Sequence, residues 1–146
     1  MIPELGHLAL FVALALSLAQ AVLPLWGAQR QRAALMSVGR PLAVLQALAV
    51  LAAFACLTAS FVRNDFSVLY VAANSNSQLP LAYRIAGVWG GHEGSLLLWL
   101  AMLSVWTLAV ARFSTRLPAA FVARVLAVMG LVGAGFLLFM LFTSNP

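Results

Sequence analysis

A chain of 146 residues that is 64% hydrophobic and only 8% charged cannot cover a water-facing surface, because soluble domains carry about 25% charged residues. Its eight basic residues are all arginines near the ends of apolar runs, so the net charge of +5 indicates membrane topology signals rather than a nucleic-acid-binding surface. The one cysteine, Cys56, lies inside an apolar run; this excludes an intrachain disulfide and a CxxC motif and predicts a buried structural thiol.

Four apolar runs predict an all-α membrane protein with four transmembrane helices. A span needs roughly 20 apolar residues to cross about 30 Å of hydrocarbon, and it must be helical because an open strand edge leaves backbone groups unpaired in lipid. The predicted spans are residues 5–26, 41–62, 95–111 and 125–142. Ala19-Gln20-Ala21 resembles a signal-peptide cleavage site, but Glu4 stands where a basic residue is expected, so we expect the first span to be retained.

The distribution of charge orients these spans. The first and third connections carry only basic charges, at Arg30, Arg32, Arg40, Arg112, Arg116 and Arg124. The second connection, residues 63–94, mixes both signs, at Arg63, Asp65, Arg84 and Glu93. By the positive-inside rule, the first and third connections are cytoplasmic. Both termini and the second connection are therefore expected on the periplasmic side.

The second connection is the one long polar segment, and its pattern predicts several local structures. The alternation of Phe66, Val68 and Tyr70 favours a short extended piece, and residues 72–78 have the composition of a polar loop. Pro80 is suited to the first turn of a short helix. The apolar residues that follow share one face of that helix: Leu81, Ile85, Val88 and Trp89. Such a face predicts a helix lying in the membrane interface, ended by the glycines at 90 and 91.

His92, Glu93 and Ser95 stand at the start of the third span. Glu93 and Ser95 are placed to bond the free amides of the first helical turn and to favour its positive end. Alternatively, His92 and Glu93 form a titratable pair at the mouth of the bundle, suited to proton exchange or to contact with a polar ligand. The spacing does not choose between these two interpretations.

The two histidines, His7 and His92, are expected at similar depth on the same side of the membrane. Two imidazoles from two helices of a bundle can ligate a haem iron axially; the alternative is that each is a separate interfacial side chain. The sequence contains no pattern typical of a catalytic triad, a phosphate-binding glycine loop or a metal-ligand cluster.

Two weaker patterns concern helix faces. One face of the third span carries Ser95, Trp99, Met102 and Trp106. This face is suited to a flat ligand, to helix packing or to lipid contact. In the fourth span, Gly130 and Ala134 form a small-xxx-small pair that allows another helix to approach closely, from this bundle or from a partner.

A resemblance to a known family runs along the whole chain. It starts with MIPELG at residues 1–6 and PLWG at 24–27. It continues with NDFSVLYVAANSNSQLPLAYRIAGVWGGHEGSLLLW at 64–99 and ARVLAVMGLVGAGFLLFMLFTSNP at 123–146. These segments resemble the CcmF family of cytochrome c-type biogenesis proteins, which are haem lyase components of the haem-handling protein superfamily.

The resemblance implies a role in cytochrome c maturation at the bacterial inner membrane. In that family, haem arrives from the chaperone CcmE and, with CcmH-type subunits, its vinyl groups are joined to the cysteine thiols of apocytochrome c. The family also carries a membrane b-type haem, with quinol as a suggested reductant. The partners implied are therefore CcmE, CcmH-type subunits, apocytochrome c, quinol and membrane lipid, without nucleic acid.

The chain departs from the family pattern in one respect. The tryptophan-rich WWD segment and the haem-ligand histidines of the family are not found in these 146 residues. The resemblance therefore implies the N-terminal part of a longer protein, with a scaffold or docking role and with no catalytic residue of its own. Two alternatives stay open: a small stand-alone membrane haem or quinone protein that uses His7 and His92, and a membrane assembly factor without a cofactor.

Overall fold

The structure, a computed structural model, describes residues 2–142, and all of its regular elements are helical. In chain order they are α1 (Ile2–Arg30), α2 (Ala33–Ser37), α3 (Gly39–Val62), α4 (Leu69–Asn74), α5 (Leu81–Ala86) with a following 3₁₀ turn (Gly87–Trp89), α6 (His92–Phe113) and α7 (Ala119–Phe142). The prediction of an all-helical chain with four helices long and apolar enough to cross a membrane is confirmed. Each of α1, α3, α6 and α7 contains one predicted span and extends beyond it at one or both ends.

The four long helices form a bundle in which α1 packs against α3 and α7, and α6 packs against the same two helices. Leucine is the commonest large side chain of the interior, where Leu10, Leu97, Leu100, Leu126 and Leu137 are almost completely buried. Large apolar side chains also cover the outside, including Leu8, Phe11, Leu48 and Leu131. A bundle that is apolar both inside and outside is suited to hydrocarbon surroundings.

Two of the long helices end with the same backbone conformation and the same type of hydrogen bond. After α1, Gln31 has a φ of 53°, and the amide of Arg32 donates to the carbonyl of Gly27 at 2.9 Å. After α3, Asn64 has a φ of 54°, and the amide of Asp65 donates to the carbonyl of Ser60 at 2.9 Å. A left-handed residue followed by this long-range amide bond is a Schellman ending, which pairs carbonyls that the helix leaves free. Both helices therefore stop sharply instead of fraying.

Arg40 ties the first connection to the third at one end of the bundle. Its guanidinium donates to the carbonyl of Ala111 at 2.7 Å and to the carbonyl of Ser114 at 3.2 Å. The Ala111 carbonyl is in the last turn of α6 and Ser114 is its C-cap residue, so the cation also complements the negative helix end. The two arginine-rich connections therefore lie together, as the charge pattern requires; which side of the membrane they face stays a prediction.

The small-residue pair in α7 packs inside this bundle. A Cβ atom added at Gly130 would lie 3.0 Å from the Ala21 amide nitrogen and from the Cβ of Gln20. Because Gly130 has no side chain, Gln20 lies flat against α7, and its Nε2 donates to the Leu126 carbonyl at 2.7 Å. The close approach predicted for Gly130 is therefore used by α1.

Three local predictions are wrong. Tyr70 lies in α4 rather than in an extended piece, and no strand occurs within residues 2–142. The predicted loop at 72–78 begins only at Ser75, because α4 continues through Asn74. Cys56 is half-buried instead of buried. The short helix after Pro80 is present as α5 and its 3₁₀ turn, whereas its position in the membrane interface stays a prediction.

Candidate functional site

Tyr70 organises the second connection. Its hydroxyl donates to the carbonyl of Val88 at 2.9 Å and accepts from the amide of Gly91 at 3.0 Å. Its ring packs edge-to-face on Phe61, with ring centroids 5.5 Å apart. One side chain of α4 thus joins the C-terminal part of α3, the 3₁₀ turn and the residue before α6. Burial raises the pKa of the Tyr70 hydroxyl above its ordinary value of 10.0, so the phenol is held in its neutral, donating form.

Two glycines make room for this phenol. A Cβ atom on Gly91 would lie 2.7 Å from the Tyr70 ring. A Cβ atom on Gly94 would overlap both the Val88 carbonyl oxygen and the Tyr70 hydroxyl. Such distances are too short for real carbon contacts, so both positions require glycine for space rather than for backbone freedom. The glycines of the GGHEG segment therefore allow Tyr70 to lie against the start of α6.

Four further hydrogen bonds stabilise the connection. Arg84 of α5 donates to the carbonyl of Val62, near the end of α3, at 2.9 Å. Asn74 closes α4 through a bond from its Nδ2 to the Tyr70 carbonyl at 3.0 Å. The carboxylate of Asp65 accepts from the amide of Ser67 at 3.3 Å and also from the Ser67 hydroxyl. The connection is consequently a folded cap on one end of the bundle.

The N-terminus of α6 is not capped in the way that the sequence predicted. The helix begins at His92, and its N-cap residue, Gly91, has no side chain that could bond the free amides. Ser95 instead donates backward to the Trp89 carbonyl at 2.6 Å. The capping role predicted for Ser95 is therefore wrong, because the helix begins three residues earlier than expected. Glu93 lies in the first turn, where its charge favours the positive helix end.

A cavity of about 440 Å³ lies beside this cap, between α1, α3 and α6. Its floor is apolar and includes Leu10, Leu57 and Leu97. Its polar lining comes from Glu4, His7, Cys56, Ser60 and Ser67. An apolar floor with a few polar groups on the wall is the usual character of a small-molecule site, and the half-buried Cys56 belongs to this wall rather than to the core.

The two histidines occupy different places. His7 lines the cavity, whereas His92 is not part of its wall. The imidazole of His92 packs edge-to-face on Phe139 of α7, with ring centroids 6.1 Å apart. Glu93 likewise lies outside the lining of the cavity.

A haem held by His7 and His92 needs both imidazoles on opposite sides of one iron. The lining of the cavity includes the His7 imidazole and not that of His92. This cavity alone therefore does not bring the two predicted ligands together. The ligand role of His7 and His92 stays a prediction.

An aromatic face of α6 is exposed at the surface of the bundle. Trp99 is 62% exposed and Trp106 is 69% exposed, and Met102 lies between them on the same face. None of these side chains contributes to the core. The face is available to lipid, to another helix or to a flat ligand, as the sequence pattern indicated.

Sequence reasoning did not identify Tyr70 as the centre of the cap. The signal was present in the closely spaced glycines at 87, 90, 91 and 94, which indicate a crowded backbone. Spacing along the chain did not show which side chain fills that space, since Tyr70 lies 18 residues from its acceptor Val88.

The whole chain is similar to known cytochrome c-type biogenesis proteins. The cytochrome c-type biogenesis protein CcmF of Pseudomonas aeruginosa is 58% identical over 146 residues, and that of Escherichia coli is 56% identical over the same length. This chain matches the N-terminal region of CcmF. It spans 22% of the length of the first relative and 23% of the second.

The CcmF likeness extends to three dimensions. A solved cytochrome c haem lyase CcmF superposes with a TM-score of 0.94 at 32% identity, covering 100% of this chain and 24% of that one. No family model matches the chain. The four-helix bundle and its cap therefore have the fold of a segment of that CcmF structure.

Proposed function

We propose that this chain forms the N-terminal helical scaffold of a CcmF-type haem lyase component that acts in cytochrome c maturation. The observation that carries this proposal is the match to CcmF over every residue of the chain, at 58% identity in one relative and with a TM-score of 0.94 to a solved CcmF. The match extends over the cap, whose glycines and tyrosine depend on one another for space. The proposed scaffold therefore includes the folded cap.

The proposed location is the bacterial inner membrane, with the capped end of the bundle in the periplasm. The opposite end carries the arginines of the first and third connections, which Arg40 holds together. The positive-inside rule assigns that end to the cytoplasm. In this orientation the termini, the cap and the cavity wall at His7 face the compartment in which cytochromes c receive their haem.

Two surfaces are proposed for docking. The first is the cap, residues 63–91, which offers a preformed surface to periplasmic partners such as CcmE, CcmH-type subunits and apocytochrome c. Its exposed side chains are both polar, as at Asn76, and apolar, as at Leu69 and Tyr83. The second is the exposed aromatic face of α6 at Trp99 and Trp106, which suits a neighbouring helix within the membrane. Tryptophan is enriched among the side chains that dominate binding energy at interfaces.

No catalytic step is assigned to the residues of this chain. Joining haem vinyl groups to cysteine thiols requires a site that holds haem, and of the two candidate ligands, His7 and His92, the cavity lining includes His7 alone. The proposed contribution is to position the rest of the haem lyase and its partners. His7 gives one specific reason to keep a membrane haem or quinone protein as the second candidate, because its imidazole lines the 440 Å³ cavity.

A chimera tests the proposal directly. The corresponding N-terminal region of the Escherichia coli relative is replaced by this chain, and the chimera is expressed in a strain that lacks its own CcmF. We expect covalent haem staining of a reporter cytochrome c to be restored. Deletion of the same region is the negative control. A chimera that accumulates in the membrane at the level of the intact relative, yet leaves the reporter without haem, would overturn the scaffold proposal.

The second candidate is tested on the same protein by spectroscopy. The purified protein is scanned for a Soret band, with the His7→Ala and His92→Ala changes introduced singly and together. A band that is lost in the double variant supports a haem protein, whereas the scaffold proposal expects no change of the spectrum in any of the three variants.

A further inference from the structure

Polar side chains are buried near the middle of the bundle. Ser17 and Gln20 of α1, Gln46 of α3 and Ser104 of α6 are at most 3% exposed. These residues lie more than one turn from either end of helices long enough to span a membrane. Hydrogen-bonding groups at that depth have no bulk water to bond, so each one left unpaired costs free energy.

The oxygen atoms of these side chains have no hydrogen-bond partner: Ser17 Oγ, Gln20 Oε1, Gln46 Oε1 and Ser104 Oγ. Other hydroxyls in the same helices are paired, since Thr58 and Thr107 each donate to the carbonyl four residues earlier, at 2.9 and 2.8 Å. Ser17 and Ser104 do not make this bond. Their hydroxyl groups are therefore available to a partner inside the bundle.

Gly133 of α7 leaves space between two of these groups. A Cβ atom built there would have three nearest neighbours, Gln46 Nε2 at 3.4 Å, Ser17 Oγ at 3.5 Å and Leu100 Cδ1 at 3.9 Å. An alanine methyl would thus fit at ordinary contact distances, so close backbone packing does not require glycine here. Two polar atoms from two different helices instead converge on the surface of a third.

We propose that Ser17, Gln46 and Gly133 form a binding site for an internal water molecule within the membrane-spanning bundle. A buried water makes two to four hydrogen bonds to groups that are otherwise unsatisfied. Here it can bond the unpaired Ser17 hydroxyl and accept from Gln46 Nε2, the amide atom that lies beside Gly133. No charged side chain is buried within residues 2–142, so the site suits a neutral ligand rather than an ion. Gly133 is glycine because a methyl group would occupy the space that the water needs.

The first measurement is magnetisation transfer from water protons to glutamine side-chain amides, by solid-state NMR on the protein in lipid bilayers. We expect transfer to the Gln46 amide and its loss in Gly133→Ala. The Gln20 amide, which donates to the Leu126 carbonyl at 2.7 Å, is the internal reference. Absence of transfer to Gln46 in the wild type, or its persistence in Gly133→Ala, would overturn the proposal.

The second measurement is the thermal midpoint of unfolding in the same bilayers. Gly133→Ala is expected to lower it by about 2–4 °C, the shift that one lost buried hydrogen bond brings in a protein of this size. Gly135→Ala is the matched control, because a Cβ atom there meets nothing within 4 Å and only gains helix propensity. A dry interior predicts the opposite result for Gly133→Ala, an increase like that of the control.

Ser17→Ala serves as the second variant if Gly133→Ala does not accumulate in the membrane. It removes one partner of the proposed water without adding volume. We expect weaker transfer from water to the Gln46 amide and a lower midpoint. An unchanged transfer together with a raised midpoint would show that the Ser17 hydroxyl is simply an unpaired group in a dry bundle.

Discussion

The Tyr70 hydroxyl donates to the Val88 carbonyl at 2.9 Å and, through the same oxygen, accepts from the Gly91 amide at 3.0 Å. This pair of bonds joins α4 to the turn that leads into α6. Both the donor side chain and the acceptor residue are buried, at 6% and 0% exposure. Groups buried to this degree have no water to replace a lost partner, which makes the Tyr70–Val88 contact the first place to test the cap.

Tyr70→Phe removes the hydroxyl and leaves the ring in place against Phe61. We expect it to lower the stability of the cap by about 1–3 kcal/mol, because the Val88 carbonyl loses its side-chain donor and the Gly91 amide loses its acceptor. Hydrogen exchange at Gly91 should accelerate. Tyr83→Phe is the control, since Tyr83 is 66% exposed. Equal exchange in the two variants would contradict the role given to Tyr70.

The pH dependence of the cap follows from the same hydroxyl. Because burial raises the pKa of Tyr70 above 10.0, the folded cap binds a proton that the unfolded chain releases earlier. The stabilisation is complete below pH 10 and is lost as the pH rises through the raised pKa. We expect unfolding of the wild type to become easier above about pH 10. The difference between wild type and Tyr70→Phe should shrink there, and a constant difference up to pH 12 would refute this assignment.

Gly94→Ala is expected to be among the most damaging small substitutions in the chain. The added methyl would overlap the Val88 carbonyl oxygen and the Tyr70 hydroxyl, and two of the three colliding atoms belong to the backbone of the 3₁₀ turn. Forced overpacking of this kind costs about 1–3 kcal/mol or more. Membrane accumulation and thermal midpoint are the measurements. Gly135→Ala is the control with open space around the new methyl. Parity between the two variants would show that the cap adapts without cost.

Arg40 is expected to stabilise the opposite end of the bundle. Arg40→Gln removes the charge and the paired donors that reach the Ala111 and Ser114 carbonyls. Hydrogen bonds to charged groups contribute about 1.5–3 kcal/mol, so a drop of that order in unfolding free energy is expected for a half-buried side chain. Arg32→Gln is the control, because Arg32 is exposed. If Arg32→Gln lowers the unfolding free energy by as much, the effect is due to net charge rather than to the hydrogen bonds of Arg40.

The large features of the fold were predictable from sequence because bilayer thickness sets a minimum length for each apolar run. Residues 5–26 and 41–62 lie inside α1 and α3 for this reason. The helix ends were less predictable. Gly91 rather than Ser95 precedes the first amides of α6, since Tyr70 holds the Gly91 amide from a distant part of the chain. Local spacing carries no information on such a partner.

The candidate site was predictable in composition but not in arrangement. His7 and His92 were grouped because both are expected at the same end of the bundle. In the structure, however, His7 lines the cavity, whereas His92 packs on Phe139 of α7. The three alternating apolar residues Phe66, Val68 and Tyr70 were too few to separate a strand from a helix turn. Burial of Tyr70 by α3 and the 3₁₀ turn decided in favour of the helix.

Arg84 reaches across from α5 to the Val62 carbonyl, and this bond has a thermodynamic consequence for recognition. Together with Tyr70 and Asn74, it restricts the conformations of the cap before any other molecule arrives. A protein that docks on this surface orders few additional side chains, so little configurational entropy is lost at the moment of association. Complex formation on the cap should therefore be rapid and close to rigid-body, with its selectivity determined by shape already present in the free protein.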